Sequence, residues 1–232
     1  MPSPHHDSFV DEVGERIRDT VEEIKPRLRG WLHAATAPLA LISFLVMLVL
    51  ADSRAARLGA AVFMISALLL FGVSAVYHTV PWRERAKRVL RRLDHSNIFI
   101  MIAGSYTPFS LLLLDSSQAA VLLSLVWSGA ILGVLFKVFW LTAPRWVYVP
   151  LYLALGWAAL IYLPDFYATA STVVFVMLSL GGLLYTVGAL VYAFKWPDPN
   201  PRWFGYHEVF HALTIAAFIV HYIGVSFVVY AS

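Results

Sequence analysis

The 232-residue chain contains no cysteine, and only 13% of its residues are charged. Without cysteine there are neither disulfides nor thiolate ligands, so a metal site must be built from histidine, aspartate or glutamate. The shortage of charge excludes more. An ordinary soluble domain carries about 25% charged and about 45–50% apolar residues, whereas 60% of this chain is hydrophobic. One globule cannot hide that much apolar surface and keep a polar coat. Soluble, disordered, fibrous and disulfide-scaffold classes therefore fall away. The alternating segments of about ten residues that build a transmembrane barrel are also missing. What remains is an all-α polytopic membrane protein with a single membrane domain.

The charges are sparse enough for their gaps to outline the structure. Charge-free stretches run over residues 30–51, 58–82, 95–114, 116–136, 146–164, 166–194 and 209–232. The shortest is 19 residues and the longest 29. A spanning helix needs about 20 apolar residues to cross a core of about 30 Å. Seven such gaps predict a seven-transmembrane helix bundle over residues 31–232, preceded by an N-terminal segment of residues 1–30.

Placing the N-terminus in the cytoplasm puts 15 of the 17 Lys and Arg residues on that side, leaving only Arg54 and Arg57 opposite. This asymmetry predicts an inward N-terminus and an outward C-terminus. The net charge of +3 then reflects topology and gives no reason to expect nucleic-acid binding. The expected partner is membrane lipid, and the oligomeric state is not legible. The N-terminal segment carries seven acidic residues and no continuous apolar run, so it does not read as a signal peptide. Phe9, Val10, Val13, Ile17, Val21, Ile24 and Leu28 recur at helical spacing after a cap-like Ser8. They predict a short amphipathic helix on the cytoplasmic face.

Ionisable groups at membrane depth are costly and mark functional sites by default. The second span ends in Ser74-Ala75-Val76-Tyr77-His78, the third opens at Asp94-His95, and the seventh opens with His207-Glu208-Val209-Phe210-His211. The first span begins near His33. The Lys and Arg asymmetry places all of these groups in the cytoplasmic leaflet. Four residues apart on a helix, His207 and His211 lie about 40° apart around the axis and about 6 Å along it, so both can reach one ion. His78, His207 and His211 would give zinc three imidazole ligands and one open position. Asp94 is the candidate general base or partner of a bound water, and Ser74, one turn from His78, would orient a ligand or a substrate oxygen.

Other readings stay open. His207-Glu208-Val209-Phe210-His211 fits the H-E-x-x-H pattern, in which the Glu is the base of a metalloprotease. Ser74, His78 and Asp94 could form a hydrolase triad, although Gly72-Val73-Ser74-Ala75-Val76 misses the last glycine of a nucleophile elbow. His33 is a candidate lining residue, and His95 is either a ligand or interfacial. His221, about 21 Å along the helix from His207, is expected to pack or face a pore in the outer half. Gly129, Gly133, Gly181, Gly182 and Gly188 are expected to allow close helix contacts. Pro108 is expected to kink the third span, and Pro144, Pro164, Pro197, Pro199 and Pro201 to mark loops.

With Ser74-x-x-x-His78, Leu93-Asp94-His95 and His207-x-x-x-His211 in this order, the chain resembles the hemolysin III family, the bacterial branch of the progestin and adipoQ receptor family. The segments Ile102-Ala103-Gly104-Ser105-Tyr106-Thr107-Pro108-Phe109 and Gly181-Gly182-Leu183-Leu184-Tyr185-Thr186-Val187-Gly188-Ala189 also resemble it. The resemblance covers the chain from about His33 onward. It implies seven helices with the N-terminus inside, zinc on His78, His207 and His211, a water-contacting role for Asp94, and a motif serine at Ser74. Eukaryotic relatives resemble alkaline ceramidases. Bacterial members are named for haemolysis and linked to membrane lipid homeostasis. The expected function is therefore zinc-dependent hydrolysis of a lipid amide or ester at the cytoplasmic leaflet of the plasma membrane. A lipid-homeostasis regulator with structural zinc and a cytolytic pore-former are the alternatives.

Overall fold

A computed structural model describes residue 28 and residues 30–232. The amphipathic helix expected in the N-terminal segment lies outside the described residues, apart from Leu28. Among the described residues there are eight α-helices and no extended strand: α1 (Trp31–Leu50), α2 (Arg54–Thr79), α3 (Glu84–Leu113), α4 (Ser116–Phe139), α5 (Arg145–Gly156), α6 (Leu163–Thr169), α7 (Thr172–Phe194) and α8 (Tyr206–Tyr230). Together α5, a 3-10 turn over Ala158–Tyr162 and α6 make one span, so seven segments are long and apolar enough to cross a membrane. The chain is a multi-pass integral membrane protein.

At one end of the bundle the connections are tight, and side chains supply the helix starts. Ser53 accepts from the Ala56 amide at 3.1 Å, Asp115 from those of Ser117 and Gln118 at 2.9 and 3.0 Å, and Ser171 from that of Val174 at 3.3 Å. Each satisfies an amide that the helix cannot pair internally. The other end carries the Arg- and Lys-rich connections.

Two expectations need correction. The third helix does not open at Asp94 but at Glu84, so Asp94 lies in its third turn. The basic run Arg83–Arg92 is rich in good helix formers, and a charge gap measures the membrane, not the helix. The boundary between the fifth and sixth spans falls at Ser171 instead of Asp165. Pro164 lies in the first turn of α6 and does not mark a loop there, because proline is tolerated in a first helical turn.

The fifth span is broken at mid-depth. The Tyr106 hydroxyl of α3 donates to the Gly156 carbonyl at 2.6 Å and accepts from the Ala159 amide at 2.8 Å. Backbone groups freed by a break within lipid must find such partners. Packing tightens elsewhere through small residues. A Cβ on Gly59 would lie 2.8 Å from Pro108 Cα, and Gly133 sits against the Phe99 ring. Gly182, by contrast, meets no neighbour and lines a cavity. An aromatic wedge fills the centre. Phe218 of α8 meets Phe71 and Phe63 of α2 at centroid distances of 5.0 and 5.6 Å, and Phe44 of α1 meets Phe63 at 5.1 Å.

Candidate metal centre and adjoining cavity

His78 stands in the last turn of α2, and His207 and His211 occupy the first two turns of α8. One donor nitrogen from each lies within 4.8 Å of the others, a group that could hold a metal ion. Tetrahedral zinc with bonds of about 2.0–2.1 Å needs donors roughly 3.4 Å apart. The rings would have to draw together by little more than an ångström, so the donor set fits such an ion in number, type and spacing.

Local structure sets these positions. The start of α8 is pinned by two carboxylates: Asp198 Oδ1 accepts from the Tyr206 amide at 2.8 Å, and Glu208 Oε2 from the Gly205 amide at 2.9 Å. They offset the positive pole of the helix, which would otherwise oppose a cation at His207. His78 lies at the negative pole of α2, which favours one. Glu208 is fully buried, and its hydrogen bond to the Gly205 amide turns it back onto its own helix start. The H-E-x-x-H reading instead needs that carboxylate at the reacting centre.

Asp94 reaches the cluster from α3. Its Oδ2 lies 3.8 Å from His78 Nε2 and 3.8 Å from His95 Nδ1. Buried Ser74 faces the same carboxylate. His95 turns away from the three imidazoles. Its Nδ1 is 2.8 Å from the Arg91 carbonyl and its Nε2 is 3.5 Å from the Tyr192 hydroxyl. His33 stacks on His211 with centroids 3.9 Å apart and planes 11° apart. Imidazole lone pairs lie in the ring plane, so two rings stacked in this way cannot both meet one ion at about 2 Å. His33 supports the His211 ring and lines the cavity.

That cavity has a volume of about 430 Å³ and is walled mostly by apolar side chains. His207, His211, Asp94 and Ser74 line one end, and Leu178, Phe166 and His221 the other. Leu160 and Leu183, both more than half exposed, also border it. It therefore reaches the outer face of the bundle between the broken fifth span and α7.

Sequence reasoning missed the tyrosines beside this site. Tyr148, Tyr152 and Tyr192 line the cavity, and Tyr192 stands 5.8 Å from His207 between ring centroids. The four-residue spacing of Tyr148 and Tyr152 was the available signal. Lys137, the charge that ends the fourth charge-free stretch, is buried in α4 with its ammonium 3.9 Å from the Tyr148 ring centroid. Cation–π attraction offsets part of the cost of burying it.

Comparison with known proteins gives the same family as the motifs. The family described as Haemolysin-III related matches residues 21–222. The chain is 38% identical over 134 residues to a Hemolysin-3 homolog of Bacillus subtilis, covering 58% of this chain and 62% of that protein. It is 29% identical over 175 residues to Hemolysin-3 of Bacillus cereus, covering 74% and 80%. An adiponectin receptor protein of Drosophila melanogaster is 30% identical over 187 residues, covering 71% of this chain and 41% of the relative. The match thus spans less than two thirds of the Bacillus subtilis and Drosophila proteins. From the seven spans, the ordered motifs and a family match over most of its length, the chain belongs to the haemolysin-III-related family.

Proposed function

We propose that the protein is a zinc-dependent hydrolase of lipid amide or ester bonds, acting at the cytoplasmic leaflet. The observation that carries this reading is the mouth-to-tail arrangement of the site. Three imidazoles, a carboxylate and a serine hydroxyl stand at one end of an apolar cavity that borders the lipid. His78, His207 and His211 would hold zinc, which when bound supplies Lewis acidity at the carbonyl under attack. Asp94 takes a proton from the attacking water and returns it to the departing amine or alcohol. Ser74 hydrogen-bonds the substrate oxygen. The apolar wall takes the acyl chain and keeps bulk water from the reacting carbonyl. The positive-inside asymmetry of Lys and Arg supports a cytoplasmic location for this end.

The test pairs metal analysis with turnover. Purified wild type should carry one zinc per chain and His207→Ala none. Asp94→Asn should keep the metal while fatty-acid release from N-acyl amides and acyl esters falls about 10²- to 10⁴-fold. A wild-type protein without stoichiometric metal defeats the site assignment. Metal without hydrolysis across such a panel leaves a structural ion and removes the hydrolase.

A further inference from the structure

The far end of the cavity is not uniformly apolar. His221 Nε2 lies 3.1 Å from the Leu178 carbonyl. A carbonyl can only accept, so Nε2 carries the proton, and in the neutral ring Nδ1 is left as an acceptor. That Nδ1 is buried without a partner, and the Tyr185 hydroxyl is likewise buried without one. Both residues line the cavity, and their ring centroids are 5.6 Å apart. His221 itself is 6% exposed. Its pose is built in: Gly181 leaves room for the imidazole, since a Cβ there would overlap the ring, and Phe109 packs edge-on against it at 5.8 Å. Buried polar atoms normally find partners, and ones that do not call for an explanation.

We propose that His221 and Tyr185 form a distal polar subsite that reads a hydroxyl group carried partway along the acyl chain of the bound lipid. A hydroxyl both donates and accepts, so it serves the imidazole lone pair and the phenol. His221 lies ten residues beyond His211 on α8, about 15 Å along the axis. The group recognised is therefore well removed from the end of the lipid held at the three imidazoles. A plain acyl chain would leave both polar atoms without a partner, and the subsite selects against it. The inference rests on the proposed function only in that the cavity receives an acyl chain.

The test uses oleic acid and ricinoleic acid, which differ by one mid-chain hydroxyl. Each displaces a fluorescent fatty acid from the full-length protein in nanodiscs, for wild type, Tyr185→Phe and His221→Phe. The two acids partition differently into the bilayer, and the ratio between wild type and variant cancels that difference. The preference for ricinoleic over oleic acid should fall about three- to tenfold in either variant, with oleic acid potency unchanged. Tyr185→Phe preserves the ring and carries the test if His221→Phe does not fold. A preference that survives, or an equal loss for both acids, overturns the distal subsite while leaving the acyl cavity standing. If oleic acid displaces nothing from wild type, the cavity reading falls with it.

Discussion

Replacing Glu208 by Gln separates a helix cap from a catalytic base. The carboxylate is fully buried and accepts from the Gly205 amide at 2.9 Å. Gln retains an acceptor oxygen, so the hydrogen bond survives in neutral form. A bond to a charged group contributes about 1.5–3 kcal/mol and a neutral one about 0.5–1.5, so the exchange costs roughly 1–1.5 kcal/mol. Removing a negative charge from the first turn of α8 costs about 0.3–1 kcal/mol more. The expected loss is about 2 kcal/mol, read as a lower melting temperature in detergent. Zinc content and lipid hydrolysis should persist, because the proposed mechanism gives the proton to Asp94 rather than Glu208. A variant of unchanged stability with no turnover would refute this reasoning and restore the metalloprotease reading.

Tyr106→Phe should destabilise the protein by about 2–6 kcal/mol, since it leaves the Gly156 carbonyl and the Ala159 amide both without a partner, at about 1–3 kcal/mol each; unfolding in a denaturing detergent series measures it. Gly59→Ala places a Cβ 2.8 Å from the backbone of Pro108, which cannot rotate aside, whereas a Cβ on Gly72 meets nothing within 4 Å. The first should lose about 1–3 kcal/mol through overpacking and the second should be neutral or gain slightly, a sign difference visible in paired melts. Amides of Gln118 and Ser117 and the Ser117 hydroxyl hold the Asp115 carboxyl below the usual carboxylate range. A lowered folded-state value means that its stabilisation is present above the unfolded-state value and is lost as pH falls through the folded one. Melts of Asp115→Ala and wild type should therefore differ at neutral pH and converge in strong acid.

The spans were legible because charge is excluded from lipid, and the gaps between charges mark the hydrocarbon core. That rule says nothing about helices that continue into water, which is why the start of α3 at Glu84 escaped it. It also put the fifth boundary at Asp165, a residue inside α6. His207 and His211 were legible as a pair because helical spacing within one segment is a local property. Adding His78 required only that both groups share a leaflet. The stacking of His33 on His211 and the approach of Tyr192 to His207 depend on the rotation of separate helices about their axes. Packing decides that rotation, and no periodicity along a single span encodes it.

A continuous helix satisfies its own backbone before it meets a neighbour, and so it can enter the bilayer ready-made. The fifth span does not: at its break, two peptide groups are satisfied by a phenol that belongs to α3. Until the two segments dock, those groups stay exposed to hydrocarbon or the segment holds another shape. Insertion of this stretch and assembly of the bundle are therefore one event, and the lipid-facing wall of the cavity forms only when the third span is already in place.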